Sequence, residues 1–151
     1  MGLNSWPNLD EWKQLIQLAR SEGIYVVHCG DDYWTGAACP VLGDKDHPAS
    51  YEACAFLRRQ GFQNDGNWLL VPIDNRTTSH FRGNTAYIFD CEGGTSWGAP
   101  FLAGAVALAI QVNPLLSPDQ IREYLIATAA ACKDGKIVDP VAFVEKAAGL
   151  K

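Results

Sequence analysis

Short apolar runs alternate with helix-like patterns along the chain, and this alternation is typical of an α/β fold. Apolar residues recur at helical spacing over residues 7–22, and Gly23 follows as a stop signal, so a first helix is predicted there. Buried strands are predicted where β-prone apolar residues run together, at 24–27, 68–73 and 85–89. Pro72 places the end of the second strand at a sheet edge or a bulge, because proline cannot donate to a ladder.

The segments between these runs carry weaker patterns. Residues 33–48 and 74–84 are rich in glycine, proline or polar residues, and we expect loops there. Residues 49–60 predict a short helix, and residues 137–138 a short strand.

Two further helices are predicted near the C-terminus from their start signals. Ser117 is an N-cap residue followed by proline at the first helical position, and the apolar face of this helix consists of Ile121, Tyr124, Leu125 and Thr128. Asp139, also followed by proline, opens a final helix that ends near residue 148.

Residues 93–112 contain the strongest candidate for catalytic chemistry in the sequence. Ser96 stands in a glycine-rich turn between a predicted strand and a long run of small apolar residues, which predicts the order strand, turn, serine, buried helix. Free N–H groups at a helix N-terminus favour negative charge, so a serine there suits acyl transfer, in which an oxyanion forms beside the nucleophile. Serine is also a preferred N-cap residue, and that structural role is the alternative.

Composition limits the classes of protein to consider. The chain has 151 residues, of which 48% are hydrophobic and 19% charged, and these values indicate one globular domain with its own core. The formal net charge of −5 gives no electrostatic attraction to nucleic acid. No uninterrupted apolar stretch of membrane-spanning length occurs. The charge therefore excludes nucleic acid, and the lack of such a stretch excludes a membrane, from the predicted partners.

The five cysteines are odd in number and contain no C-x-x-C pair. We interpret most of them as small buried hydrophobic residues in a reducing compartment. A zinc site is the alternative, but neither ligand pairing nor spacing supports it, so we predict neither a metal nor a cofactor. The first residues lack a basic segment followed by an apolar core, so no signal peptide is recognised. These features together predict a cytoplasmic protein.

Residues 94–104, Gly-Thr-Ser-Trp-Gly-Ala-Pro-Phe-Leu-Ala-Gly, resemble the signature around the nucleophilic serine of subtilisin-like serine peptidases. Residues 112–122 are similar to a pattern that follows the serine helix in that family, and residues 23–31 to the strand and turn that supply its oxyanion side chain. Residues 1–6 stand where the family has a strand that lines the substrate cleft. The resemblance implies a partial subtilisin-like parallel sheet with helices on its faces, and a serine-type endopeptidase acting on peptide or protein substrates.

The resemblance also implies roles for individual residues. Ser96 would be the nucleophile, with its own backbone N–H as one oxyanion donor, and Asp31 would occupy the position of the second donor. Thr95 would orient the turn, and Trp97 would narrow access to the serine. The residues expected to contact substrate are Val27, His28, Cys29, Gly30, Gly94 and Thr95. His28 is equally well explained as a packed polar residue, and for His80 and Arg82 a solvated loop is the favoured interpretation.

Two departures from the family pattern affect the expected activity. The catalytic Asp and His of the family lie on segments that precede everything matched here, so residues 1–151 are expected to form the C-terminal part of the domain and to need its N-terminal half. Asp31 replaces the family's Asn, and an ionised carboxylate cannot donate to an oxyanion. This replacement favours the alternative of a non-catalytic pseudo-peptidase that acts as a binding or scaffold domain. Gly94–Gly98 also fits the nucleophile elbow of α/β-hydrolases, but no histidine follows Ser96 as that fold requires.

Overall fold

The computed structural model describes residues 8–30, 33–64 and 66–150. Its helices are α1 (Leu9–Ser21), α2 (Ala55–Arg59), α3 (Thr95–Val112), α4 (Pro118–Ala127) and α5 (Pro140–Ala147), with a short 3-10 helix at Pro48–Ser50. Its strands are β1 (Trp34–Ala38), β2 (Glu52–Ala53), β3 (Leu69–Asp74), β4 (Arg76–Ser79), β5 (Tyr87–Asp90), β6 (Ala130–Cys132) and β7 (Gly135–Ile137). The α/β class predicted from the sequence is confirmed.

A five-stranded sheet in the order β2-β1-β3-β7-β6 forms the centre of the described fold. The three middle strands run parallel, and both edge strands, β2 and β6, pair antiparallel with their neighbours. β4 and β5 pair antiparallel as a separate two-stranded sheet. The parallel centre matches the expected partial subtilisin-like sheet, and α3 packs against β1 and β3.

β1 lies in a segment that the sequence predicted to be a loop, and that prediction is wrong. Ala37 and Ala38 are buried, and a side chain at Gly36 would come within 2.2 Å of the Ile73 Cδ1 atom. Gly36 therefore serves close strand packing and not a turn.

The two predicted strands on either side of β3 also need correction. Residues 24–28 are irregular, with no strand assigned to them; Ile24 is exposed and residues 25–28 are partly buried. The strand predicted at 85–89 lies at Tyr87–Asp90 and is largely exposed, because it pairs with β4 outside the main sheet. β4 itself lies in a predicted loop, since a two-stranded ribbon with exposed faces needs no apolar pattern.

β3 is a central strand and all of its residues are buried, so the alternative of an edge at Pro72 is wrong and the bulge is confirmed. The register with β1 shifts there: Ala37 lies opposite Pro72, and Ala38 opposite Asp74. The helix predicted at 49–60 is shorter than expected, because the 3-10 helix and β2 precede α2.

The C-terminal helices follow the sequence signals closely. Ser117 caps α4 in a capping box with Gln120, and the Asp139 side chain caps α5 by accepting from the N–H of Ala142. Ile121 and Leu125 are buried, so the predicted face of α4 does point into the core. Each of these local hydrogen bonds satisfies a helix N–H group that would otherwise lack a partner.

The helix predicted to be buried, α3, is buried on one face only, so the prediction is wrong for its other face. Its buried residues are Gly98, Leu102, Ala105, Val106 and Ala109, and they face the sheet and α5. Leu108 and Val112 on the same helix are 53% and 48% exposed. By length and composition α3 meets the criterion for a membrane-spanning helix, a criterion that core helices of globular proteins meet as well.

Candidate active site

Ser96 is the second residue of α3, and its side chain is exposed. The N-cap is Gly94, in an extended conformation and without a side-chain cap hydrogen bond, so the interpretation of Ser96 as a cap residue is wrong. Within the described residues no hydrogen-bond partner is found for the Ser96 hydroxyl. The side chain therefore stands at the positive end of a long helix with its oxygen available for chemistry.

The turn before Ser96 is fastened to the end of β3 by a buried carboxylate. Asp74 is 3% exposed and is the one charged side chain buried within the described part of the chain. Its Oδ1 accepts from the N–H of Gly93 at 2.8 Å, and its Oδ2 accepts from the N–H of Ala55 at 2.8 Å. A buried carboxylate needs such partners, and here they connect the turn, the sheet and α2.

The same turn approaches the sheet so closely that one of its positions admits only glycine. A Cβ atom on Gly93 would lie 2.1 Å from the carbonyl oxygen of Ile73. One turn into the helix, a Cβ atom on Gly98 would lie 2.7 Å from the Trp34 ring. Both glycines therefore bring the start of α3 against the sheet, which sets where Ser96 stands.

Two further contacts hold the turn from outside. The backbone N–H of Asn75 donates to the carbonyl oxygen of Cys91 at 3.3 Å, and Asn75 has a positive φ of 55°. Arg59 of α2 donates two hydrogen bonds, of 2.8 and 2.9 Å, to the Glu92 carboxylate. The adjacent Arg59 guanidinium lowers the pKa of Glu92 from its ordinary value of 4.5. Both partners of that pair are exposed, so water weakens its contribution.

These supporting residues were not among the candidates from the sequence. Asp74 and Asn75 were assigned to a polar loop, although a carboxylate directly after a buried run is a recognisable signal at the end of a strand. The partners of Asp74 lie 19 residues away on either side, so its role depends on tertiary structure.

The expected substrate-contacting segment at 27–30 is partly buried in the structure. Val27 packs against the core, and the Cys29 side chain is exposed. His28 accepts from the N–H of Gly30 at 3.2 Å, and its ring meets Trp12 edge to face at a centroid distance of 5.9 Å. Asp31 and the strand expected at 1–6 lie outside the described residues, so their places relative to Ser96 stay predictions.

The other two histidines have local partners. His80 accepts from the N–H of Arg82 at 3.2 Å, and its ring stacks on that of Phe81. The Arg82 guanidinium also lies over the Phe81 ring, 5.8 Å from its centroid. His47 accepts from the N–H of Ala49 at 3.2 Å. Neither is hydrogen-bonded to Ser96, so no base for the serine is found among the residues that the structure covers.

The cysteines divide into buried and exposed groups, which corrects part of their interpretation as buried hydrophobic residues. Cys39 and Cys54 are buried, Cys132 is partly buried, and Cys29 and Cys91 are exposed. Burial raises the pKa of the Cys39, Cys54 and Cys132 thiols. In the described part of the chain no three His, Cys, Asp or Glu side chains converge on a possible metal position.

Comparison with known proteins identifies the same region. The sequence profile of the Subtilase family, Peptidase S8, matches residues 68–144, which include Ser96 and the supporting Asp74. Subtilisin DY from Bacillus licheniformis is 28% identical over 130 residues, which are 81% of this chain and 45% of that protein. The chain therefore spans less than half the length of this relative.

Solved structures with a similar fold are also proteases. The patellamide maturation protease PatA superposes with a TM-score of 0.56 and 17% identity, over 92% of this chain and 57% of that chain. A protease from Pseudoalteromonas arctica superposes with a TM-score of 0.54 and 24% identity, over 89% of this chain and 46% of that chain. At these identities the superpositions establish the shared fold.

Proposed function

Because the chain belongs to the subtilase family, we propose that it carries the nucleophile, Ser96, of a serine endopeptidase that hydrolyses peptide or protein substrates. The observation that supports this most is the position of Ser96. Its side chain is exposed in the first turn of α3 and does not cap the helix, and the residues before it are held to the sheet by Asp74. A nucleophile needs a fixed position beside donors that can stabilise an oxyanion.

In the proposed reaction, the Ser96 Oγ atom attacks the carbonyl carbon of the scissile peptide bond and loses its proton to a base. The tetrahedral oxyanion accepts a hydrogen bond from the Ser96 N–H. The position of a second donor is assigned to Asp31, whose side chain can donate only when its carboxyl group is protonated. Collapse of the intermediate breaks the C–N bond, and the base returns the proton to the departing amine. Water then attacks the acyl-serine ester and gives a proton to the base. The ester C–O bond breaks, and the base returns the proton to the Ser96 oxygen.

We further propose that the base and its orienting carboxylate come from an additional segment that docks against the exposed face of α3. Leu108 and Val112 offer this segment an apolar surface on the helix whose N-terminus carries Ser96. This surface would position the added histidine relative to a serine that lacks a base among the described residues. A non-catalytic scaffold function is the second candidate, and the acidic residue at position 31 favours it because a carboxylate does not donate.

Peptide cleavage by the full product of the gene tests this function. Casein should be cleaved, and Ser96→Ala should abolish cleavage. Ser117→Ala is the matched control, since Ser117 also stands at a helix start but its hydroxyl is used as a cap. Ser117→Ala should lose stability and keep the catalytic rate. A folded full-length product that leaves casein intact, with or without Ser96, would favour the scaffold function.

A further inference from the structure

A cavity of about 690 Å³ lies apart from the Ser96 turn and is not used in the proposed reaction. It is lined by the loop at 45–51, by Pro72, by the first residues of β4, by Phe101 and by the segment at 137–141. None of residues 93–96 contributes to its wall. Its volume is in the range of pockets that hold small organic ligands.

One wall of this cavity presents a guanidinium that is held in place without an ion pair. Arg76 lies over the Phe101 ring, 5.3 Å from its centroid, and lines the cavity together with Tyr51, whose hydroxyl donates to the carbonyl oxygen of Lys45 at 3.1 Å. Among the described residues no carboxylate forms an ion pair with it. The ring occupies one face of the guanidinium, so the N–H donors around its edge can meet a ligand.

Two carboxylates and a second cation also line the cavity, and within the described residues neither carboxylate forms an ion pair with Arg76. The Asp139 carboxylate accepts from the N–H of Ala142 at 3.0 Å and caps α5. Asp46 is exposed and forms no ion pair with any residue that the structure covers, and Lys45 adds a second, exposed cation to the wall. The rest of the lining is mostly apolar and includes Pro72 and Val138.

We propose that this cavity binds a small carboxylic acid with an apolar body, whose carboxylate pairs with Arg76. An arginine fork matches the two oxygens of a carboxylate, and the apolar lining provides contact area for the rest of the ligand. The same chemistry occurs in free aryl or alkyl acids and at the C-terminus of a peptide that ends in an apolar residue. The proposal does not depend on the function of Ser96.

Titration of the full chain by NMR or calorimetry tests the proposal, with 3-phenylpropionate representing a free acid and acetyl-alanyl-phenylalanine a peptide C-terminus. At least one acid should bind with a Kd below about 1 mM, and its amide should bind at least tenfold more weakly because the charge is lost. Whichever acid binds more tightly identifies the source of the carboxylate.

Arg76→Gln should weaken binding of that acid tenfold or more. Arg82→Gln is the matched control, because Arg82 also lies over a phenyl ring, that of Phe81, but does not line the cavity. It should leave the Kd unchanged. Equal affinity for acid and amide, no binding of either acid, or equal losses in the two variants would each overturn the proposal.

A second pair of variants decides the question if Arg76→Gln does not fold. Val141 lines the cavity and is 69% exposed, so substitutions there leave the core intact. Val141→Asp should weaken binding of the acid and Val141→Lys should strengthen it, each by a few-fold, through charge alone. An unchanged Kd in both variants, or the opposite order, would contradict a cationic binding site.

Discussion

The carboxylate of Asp74 accepts a hydrogen bond of 2.8 Å from the backbone N–H of Gly93, three residues before Ser96. This contact joins the end of the central strand to the turn that carries the candidate nucleophile. The second oxygen of Asp74 accepts from the N–H of Ala55, also at 2.8 Å, so one side chain sets the relative positions of β3, α2 and the start of α3.

Replacing Asp74 by Asn should loosen the turn. An amide has one acceptor oxygen, so its NH₂ group would face one of the two N–H donors, and a buried donor without a partner costs about 1–3 kcal/mol of stability. Denaturant unfolding should show that loss, and hydrogen exchange at Gly93 or Ala55 should become faster.

Glu92→Gln provides a comparison for this variant, because Glu92 holds the same turn through an exposed pair with Arg59. Its effect on exchange at Gly93 should be much smaller, since water screens that pair. If Glu92→Gln has the larger effect, the surface pair and not the buried carboxylate holds the turn.

The two faces of α3 should respond differently to truncation. Leu102 is fully buried, so Leu102→Ala should cost about 2–5 kcal/mol of unfolding free energy. Leu108 lies on the same helix and is 53% exposed, so Leu108→Ala should lower the unfolding free energy by less than about 1 kcal/mol. Urea unfolding measures both. A large loss for Leu108→Ala would mean that this face is already covered in the chain itself.

The buried thiols should react slowly and only at high pH. Burial raises the pKa of Cys54 above its ordinary value of 9.0, so little thiolate is present near neutral pH. The exposed Cys91 should therefore be alkylated by iodoacetamide much faster than Cys54 at pH 8. Since the folded-state pKa is the higher one, this thiol favours the folded state below pH 9.0, and its contribution is lost as the pH rises through the raised value. Equal alkylation rates at pH 8 would show that Cys54 is accessible in solution.

The replacement of Asp31 by Asn tests the proposed oxyanion position. An amide donates where an ionised carboxylate cannot, and a single oxyanion donor changes kcat by about 10²–10³-fold. In the full gene product Asp31→Asn should therefore raise kcat at neutral pH. Asp32→Asn is the control, because it removes the same charge from the adjacent residue, which is not assigned to the oxyanion position, and it should have a smaller effect. A kcat that falls or stays unchanged would mean that residue 31 does not face the oxyanion.

How much could be predicted from the sequence depended on whether an interaction was local. Ser117 and Asp139 start their helices as predicted, because the hydrogen bonds that cap a helix lie within three residues of the cap. β1 was missed because Gly36 and its alanine neighbours are buried by packing against Ile73, in a strand far along the chain. The place of Ser96 at the start of α3 was predicted from its turn and helix, but the support from Asp74 needed the folded structure.

The most direct test of the central claim is the reaction of a fluorophosphonate with the full gene product, followed by peptide mapping of the adduct. The probe phosphonylates a serine oxygen that a base has activated and releases fluoride. We expect the adduct on the peptide containing Ser96, its loss in Ser96→Ala, and its retention in Ser117→Ala. The 151-residue chain alone should react far more slowly, because the described residues supply Ser96 with no base. An adduct on another serine, or labelling that persists in Ser96→Ala, would contradict the assignment of Ser96 as the nucleophile.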